Sequence, residues 1–360
     1  MKNSLPTFIK KIWPVSVAPM MKWTDRHYRY FMRQITRCTL LYTEMITSGA
    51  VLHGNREKLL GFSAEEKPLA LQIGGDDPKE LAACTGIAEE LGYDEINLNV
   101  GCPSERVQKG NFGACLMAEP ELVRDCLKGM KEAADIPVTV KHRIGLRPLY
   151  ETVGHRGIDG QQSYELLAKF VEVVAESGCD RFIVHSRIAV LNGFSPKDNR
   201  TVPPLRYEDV YQLKKDFPNL AIEINGGIKT LEDVAHHLQF ADGVMVGRAA
   251  YENPYLFSEV DARFYNDGDH PKTRRQIIEA MIPYLESWIE QDVYPNHIIR
   301  HMLNLFAHKP GTKRWKRYLS ENGHKPGLGI DILIEAMKEI PDEILDEKPT
   351  IPHLEDSLRD

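Results

Sequence analysis

Eight short runs rich in apolar and β-branched residues recur up to residue 248, and helical patterns separate most of them. The runs are VSVAPM (15–20), LLYTEM (40–45), PLALQIG (68–74), EINLNV (95–100), PVTVKHR (137–143), RFIVHS (181–186), AIEING (221–226) and GVMVGR (243–248). Between them lie amphipathic stretches such as DRHYRYFMRQI, PKELAACTGIAEEL and SYELLAKFVEVVAESG, whose apolar residues recur at helical spacing. A helix between two strands returns the chain to the edge it left, so the strands run parallel. Eight such units over about 240 residues predict closure into an α/β fold, a (β/α)₈ barrel.

An open doubly wound sheet would need fewer strands and a glycine-rich turn after the first of them. Here the first run ends in Ala18-Pro19-Met20-Met21, and glycine clusters later, at Asn225-Gly226-Gly227 and Gly247-Arg248. Those places follow the seventh and eighth strands, where barrels commonly bind phosphate. From about residue 255 the strand pattern stops and helical stretches take over: RRQIIEAMIPYLESWIEQ, NHIIRHMLNLFAH, KRWKRYLSE and GIDILIEAMKEI. The expected organisation is a catalytic barrel over 1–254, a helical bundle over 255–345 and a polar tail over 346–360.

The start MKNSLPTFIKKIWP lacks the apolar stretch of a secretory signal, and no run approaches the roughly 20 apolar residues of a membrane span. A cytoplasmic protein without membrane contact is expected. The six cysteines show no metal-ligand spacing and no disulfide framework, so no metal site is expected and most are read as buried thiols. A net charge of -7 argues against a chain that coats nucleic acid indiscriminately, though it permits a local basic face.

Catalytic residues of a barrel gather at the C-terminal ends of its strands. Strand three ends in Gln72, strand four in Asn99 and then Cys102, strand five in Lys141, His142 and Arg143, strand six in His185 and Arg187, and strand seven in Asn225. Any one of them alone could simply cap the sheet. Together they offer amides, a lysine and a histidine to one mouth, which suits the pyrimidine edge of a flavin, with Lys141 placed to balance negative charge on the ring. A phosphate would then sit on backbone N–H groups of Gly226, Gly227 and Gly247 beside Arg248. Lys141 as a Schiff-base nucleophile is the alternative, but such a lysine is usually desolvated and this one is followed by His142 and Arg143. Cys102 lies in a Gly-Cys-Pro turn, where the flanking residues allow close approach and fix the backbone. Cys115, within the apolar GACLM, reads as a packing thiol instead.

The stretches APMM (18–21), TEM (43–45), LQIGG (71–75), LNVGCPSERVQKGNFGACLM (98–117), VKHRIG (140–145), FIVHSR (182–187), INGGI (224–228) and MVGRAAYENP (245–254) resemble the tRNA-dihydrouridine synthases over nearly the whole chain. LNGFSPKDNR (191–200) and IIRHMLNLFAHKPGTKRWKRYLS (298–320) are similar to the DusA subfamily, which acts on U20 and U20a of the tRNA D-loop. The resemblance implies FMN held by Pro19, Met20, Met21, Gln72, Lys141, His185, Asn225, Gly226, Gly227, Gly247 and Arg248. It implies NADPH as reductant, hydride transfer from flavin N5 to uracil C6, and Cys102 as the proton donor to C5. That last role demands a thiol that keeps its proton at working pH. The implied tRNA contacts are Asn99, which also holds the uracil, Lys197, Arg200, Lys313 and Lys316. No DNA partner is implied, and a monomer is expected.

The basic residues of 300–325 fit that last group: Arg300, Lys309, Lys313, Arg314, Lys316, Arg317 and Lys325 stand against Glu321 alone, with Trp315 and Tyr318 between them. Such a run is often just a solvated face, but in an acidic chain it is the natural footprint for a phosphate backbone. Lysine at 313 and 316, where the family suggests arginine, keeps the charge and loses the bidentate fork. The loop 146–160 is longer than the family's usual one. Two other functions remain open from sequence: an FMN barrel reducing a small pyrimidine or enone, and a tRNA-binding module without catalysis.

Overall fold

A computed structural model of the chain describes residues 13–104, 110–147, 160–191, 193–267, 271–325, 327 and 329–349, with backbone alone for 160–163. Most of the long loop 146–160 and the end of the polar tail lie outside the described residues.

Eight parallel strands form the barrel: β1 (Val15–Val17), β2 (Leu41–Tyr42), β4 (Leu69–Gly74), β5 (Glu95–Val100), β6 (Val138–Arg143), β8 (Arg181–His185), β10 (Ile222–Asn225) and β11 (Gly243–Val246). Their order is β1-β11-β10-β8-β6-β5-β4-β2. A parallel bridge between Ser16 and Leu40, with Val17 N donating to Leu40 O at 3.0 Å, closes the ring. The eight expected strands are all present, the first two much shorter than their apolar runs.

Three short strands lie outside the eight expected runs. β3 (Ile46–Thr47) pairs with β4, while β7 (Leu146–Arg147) and β9 (Ala189–Val190) form a separate two-stranded sheet beyond the ends of β6 and β8. Two-residue pairings leave too little periodicity to be read from sequence.

Strand alternation decides what fills the barrel. In β5 the residues Ile96, Leu98 and Val100 join the large core beneath the surrounding helices, and Glu95, Asn97 and Asn99 face inward. Burying each of those outward side chains contributes roughly 1.5–3 kcal/mol. The helix Arg26–Ile35 answers from outside with Tyr28, Phe31, Met32 and Ile35, and Asp25 caps it by accepting from His27 N and Tyr28 N. A small apolar plug of Trp13, Ala18, Leu40, Tyr42, Ala70, Ile183 and Met245 shares the interior with the polar groups.

Beyond residue 255 the chain is helical, the longest element being Arg274–Ile289. Segment 298–308 departs from the expected helix: after Asn296–Ile299 it continues as successive i→i+3 turns that bury Met302, Leu305 and Phe306. A three-residue period places Met302 and Leu305 on one side. The helical part rests on the barrel through Tyr30 stacked on Tyr284 at 3.7 Å, and through Asp25 accepting from Arg300 and His301. Among the described residues no helix is long and apolar enough to cross a membrane.

Candidate active site

The inward side chains at the C-terminal ends of β4, β5, β6 and β10 form a polar floor made of two hydrogen-bonded sets. Lys141 Nζ donates to Asn225 Oδ1 at 3.0 Å, and Asn225 Nδ2 donates to Met245 O at 2.7 Å. Gln72 Nε2 donates to Asn97 Oδ1 at 2.7 Å, and Asn99 Nδ2 to Gln72 Oε1 at 2.9 Å. Burial, reinforced by Arg143, lowers the Lys141 ammonium to about 8. Lys141 is therefore a desolvated lysine, contrary to the sequence argument against a nucleophilic role, because neighbours on β5, β8 and β10 shield it rather than its chain neighbours. His185 at the end of β8 is held neutral, its pKa pushed well below the usual value by burial and by Arg143 and Lys141.

Cys102 follows β5 on a turn anchored from beneath. Asn99 Oδ1 accepts from Gly101 N at 3.1 Å and from Cys102 N at 3.0 Å, and Cys102 O accepts from Ala114 N at 2.9 Å. Arg143 braces the same turn, donating from Nε to Gly101 O at 2.9 Å and from Nη1 to Ile188 O and Asn199 O. Cys102 remains partly exposed, as do Cys38 and Cys115, whereas Cys84, Cys126 and Cys179 are buried. Half of the cysteines, rather than most, are thus fully buried.

Gly226 and Gly227 follow β10 with φ of 120° and 75°. A Cβ at Gly226 would lie 2.7 Å from His185 Cδ2, and one at Gly227 would lie 2.5 Å from Leu205 Cδ1. Side chains are excluded there by both backbone and space. Tyr207 steadies the turn by donating from its hydroxyl to Gly226 O at 2.8 Å. Gly247 and Arg248 lie next to it, after β11, and the Pro19-Met20-Met21 loop follows β1, with Met21 at 58% exposure. The arrangement can hold a planar heterocycle over the amide floor and an anionic tail at the glycine turns.

The tRNA candidates divide. Asn99 is in the floor, only 8% exposed, so its carbonyl oxygen is committed to the Cys102 turn. Lys197 and Arg200 are exposed beyond β9, and burial together with Arg248 lowers the Arg200 pKa. Lys313 is exposed on the helix Thr312–Asn322, whereas Lys316 is half-buried and donates to Asn304 Oδ1 at 2.6 Å. Asn304 in turn donates to Tyr251 O, beside β11.

The basic run is less free than its local charge count suggests. Arg300 pairs with Asp25, Lys309 with Glu347 at 2.7 Å and Arg314 with Glu339 at 3.4 Å. These acids come from distant parts of the chain, so a sequence window cannot show them.

A buried ionic layer below the floor escaped the sequence reading altogether. Arg181 donates to both carboxylate oxygens of Glu95, at 2.9 and 2.6 Å, and to Tyr42 OH at 3.1 Å. Its Nε lies 2.9 Å from Glu223, which also accepts from Ser16. The available signal is period-2 polarity in EINLNV and IEIN, unusual in parallel strands that are normally apolar on both faces.

A family model described as dihydrouridine synthase (Dus) matches residues 16–341. The tRNA-dihydrouridine(20/20a) synthase of Synechocystis sp. is 58% identical over 325 residues, covering 90% of this chain and 94% of that protein. Its counterparts in Vibrio vulnificus and Escherichia coli are 55% and 53% identical, covering 92% and 91% of this chain and 98% and 92% of their own lengths.

Proposed function

This chain belongs to the dihydrouridine synthase family, and from that membership we propose that it reduces the C5–C6 bond of uridines 20 and 20a in the tRNA D-loop. The observation that carries this function is the convergence at one barrel mouth of a partly exposed cysteine, a floor of carboxamides with a desolvated lysine, and a side-chain-free glycine cradle. The family is flavin-dependent, and FMN fits these residues. Lys141, Gln72, Asn225 and His185 would face the ring, Pro19, Met20 and Met21 would flank it, and Gly226, Gly227, Gly247 and Arg248 would hold the phosphate. FMN held there and reduced by NADPH would supply hydride chemistry to the C5–C6 bond of the base.

The protein's own part is to place the base and deliver a proton. A pocket inside a barrel cannot reach a stacked base, so the uridine enters flipped out or already unpaired. Asn99 keeps one N–H for the uracil while its oxygen holds the turn of Cys102. The Cys102 thiol gives its proton to C5 from the side of the base that the turn presents. The helical part, 255–345, and the loop bearing Lys197 and Arg200 supply charge for the tRNA backbone, and the protein acts as a cytoplasmic monomer. Incubating the purified protein with NADPH and an unmodified tRNA transcript, then mapping dihydrouridine by mass spectrometry, tests the whole reading. Modification at 20 and 20a is expected, and an unmodified transcript overturns it.

Two further outcomes follow from the geometry. Lys313→Glu is expected to raise the tRNA KM roughly tenfold and to reduce the salt slope of binding by about 1, with turnover at saturating tRNA retained. Unchanged KM would assign the substrate role to a small pyrimidine or enone. Because the Lys141 ammonium loses its proton near pH 8, FMN affinity of the flavin-free protein should fall as pH rises through that value. Fluorescence titration of Lys141→Met should give weaker binding without that inflection.

A further inference from the structure

Six hydrogen bonds link the ionic layer of the barrel to the Cys102 turn, and all of them run in one direction. Thr139 Oγ1 donates to Glu95 Oε1 at 2.7 Å, and Asn97 Nδ2 donates to Thr139 Oγ1 at 2.9 Å. Gln72 Nε2 then donates to Asn97 Oδ1, Asn99 Nδ2 donates to Gln72 Oε1, and the backbone N–H groups of Gly101 and Cys102 donate to Asn99 Oδ1. A carboxamide fits its slot in either of two orientations of nearly equal shape, so its neighbours must choose between them. Here both ends of the chain choose alike. Glu95, ion-paired with Arg181, can only accept, and the two backbone amides can only donate.

Each carboxamide is thereby locked, and Gln72 and Asn99 each keep one N–H outside the chain. With Lys141 Nζ they make the mouth a set of donors, suited to the carbonyl oxygens and ring nitrogens of a pyrimidine-type edge. Asn97 and Thr139 are both fully buried, at 0% exposure, beneath Gln72 and Asn99. We propose that Asn97 and Thr139 are positioning residues, which fix the polarity of Gln72 and Asn99 and through Asn99 the seat of the Cys102 turn. The inference rests on the reductase function above, because it assigns these two residues to that reaction. Satisfied polar chains of this kind act as units, so loss of an inner member is felt at the end.

The test compares Thr139→Val, which keeps shape and removes the hydroxyl, with Thr139→Ser, which keeps the hydroxyl. Asn97→Leu is the second disruption, should the valine variant fold poorly. Four quantities are measured on folded protein: kcat and tRNA KM for dihydrouridine formation, FMN affinity of the flavin-free protein, and the pH profile of Cys102 alkylation followed by peptide mass spectrometry. In the disrupted variants kcat and FMN affinity are each expected to fall about tenfold, equivalent to ~1.4 kcal/mol. Their tRNA KM should stay close to wild type, and the alkylation profile should shift. Thr139→Ser should behave as wild type.

Wild-type values of kcat, FMN affinity and the alkylation profile in Thr139→Val or Asn97→Leu overturn the proposal. So does a loss in Thr139→Ser as deep as in Thr139→Val, which would mean that volume rather than the hydroxyl matters. Should the wild-type protein form no dihydrouridine, the reductase function fails on its own, and FMN affinity and alkylation still decide the positioning role.

Discussion

Cys102→Ala is expected to lose dihydrouridine formation by about 10²–10⁴-fold, the usual contribution of a positioned general acid, while NADPH oxidation by the same protein continues. The two half-reactions separate because recharging the flavin needs no proton from this thiol, whereas saturation of C5 does. The turn that carries Cys102 is held through its own backbone groups by Asn99 Oδ1, Arg143 and Ala114 N, and the thiol adds only a long contact to Ser104 Oγ at 3.6 Å. Alanine therefore leaves the fold and the floor of the mouth in place. Stopped-flow flavin reduction and mass-spectrometric quantification of dihydrouridine measure the two steps independently. Undiminished product would remove Cys102 from the chemistry and leave the turn as a structural element.

Arg181→Met is expected to destabilise the protein by roughly 3–5 kcal/mol, because it strands the carboxylates of Glu95 and Glu223 in the barrel interior without their cation. Burial already raises the Glu223 pKa above its ordinary value even with Arg181 present. A carboxyl raised in the folded state binds more protons there than in the unfolded chain, so its contribution to stability declines as pH rises through its folded pKa. With the arginine gone this dependence deepens. The deficit of Arg181→Met should thus be larger at pH 8 than at pH 5, as read by denaturant unfolding at both values. A pH-independent loss would mean that packing rather than charge is responsible. Arg181→Met combined with Glu95→Gln and Glu223→Gln should recover part of the stability, since replacing a whole buried ionic set is far milder than removing one member.

Much of the mouth was legible before any coordinates. Gln72, Asn99, Lys141, His185 and Asn225 could be placed because each ends a recognisable apolar run, and in a barrel the end of a strand is a location. Gly226 and Gly227 are legible because they cluster directly after the seventh strand, where barrels bind phosphate, and their φ of 120° and 75° agrees with that. Asn97, Thr139 and Arg181 are not legible in the same way, because they lie inside or at the start of their strands rather than at the C-terminal ends. Their polarity makes sense only once the inward face is known to be shared by several strands. The basic stretch 300–325 shows the opposite error, since Arg300, Lys309 and Arg314 meet acids at positions 25, 347 and 339.

The number and direction of the barrel strands, the face at their C-terminal ends and the turns that require glycine follow from the local sequence, because periodicity and backbone sterics act over a few residues. Which buried charges and amides meet, how free each surface cation is and how far the Lys141 ammonium is desolvated emerge only from the folded arrangement. Those properties depend on the distance between groups far apart in the chain, and a pairing such as Glu95 with Arg181, or Asn97 with Thr139 and Gln72, exists only after the barrel has closed.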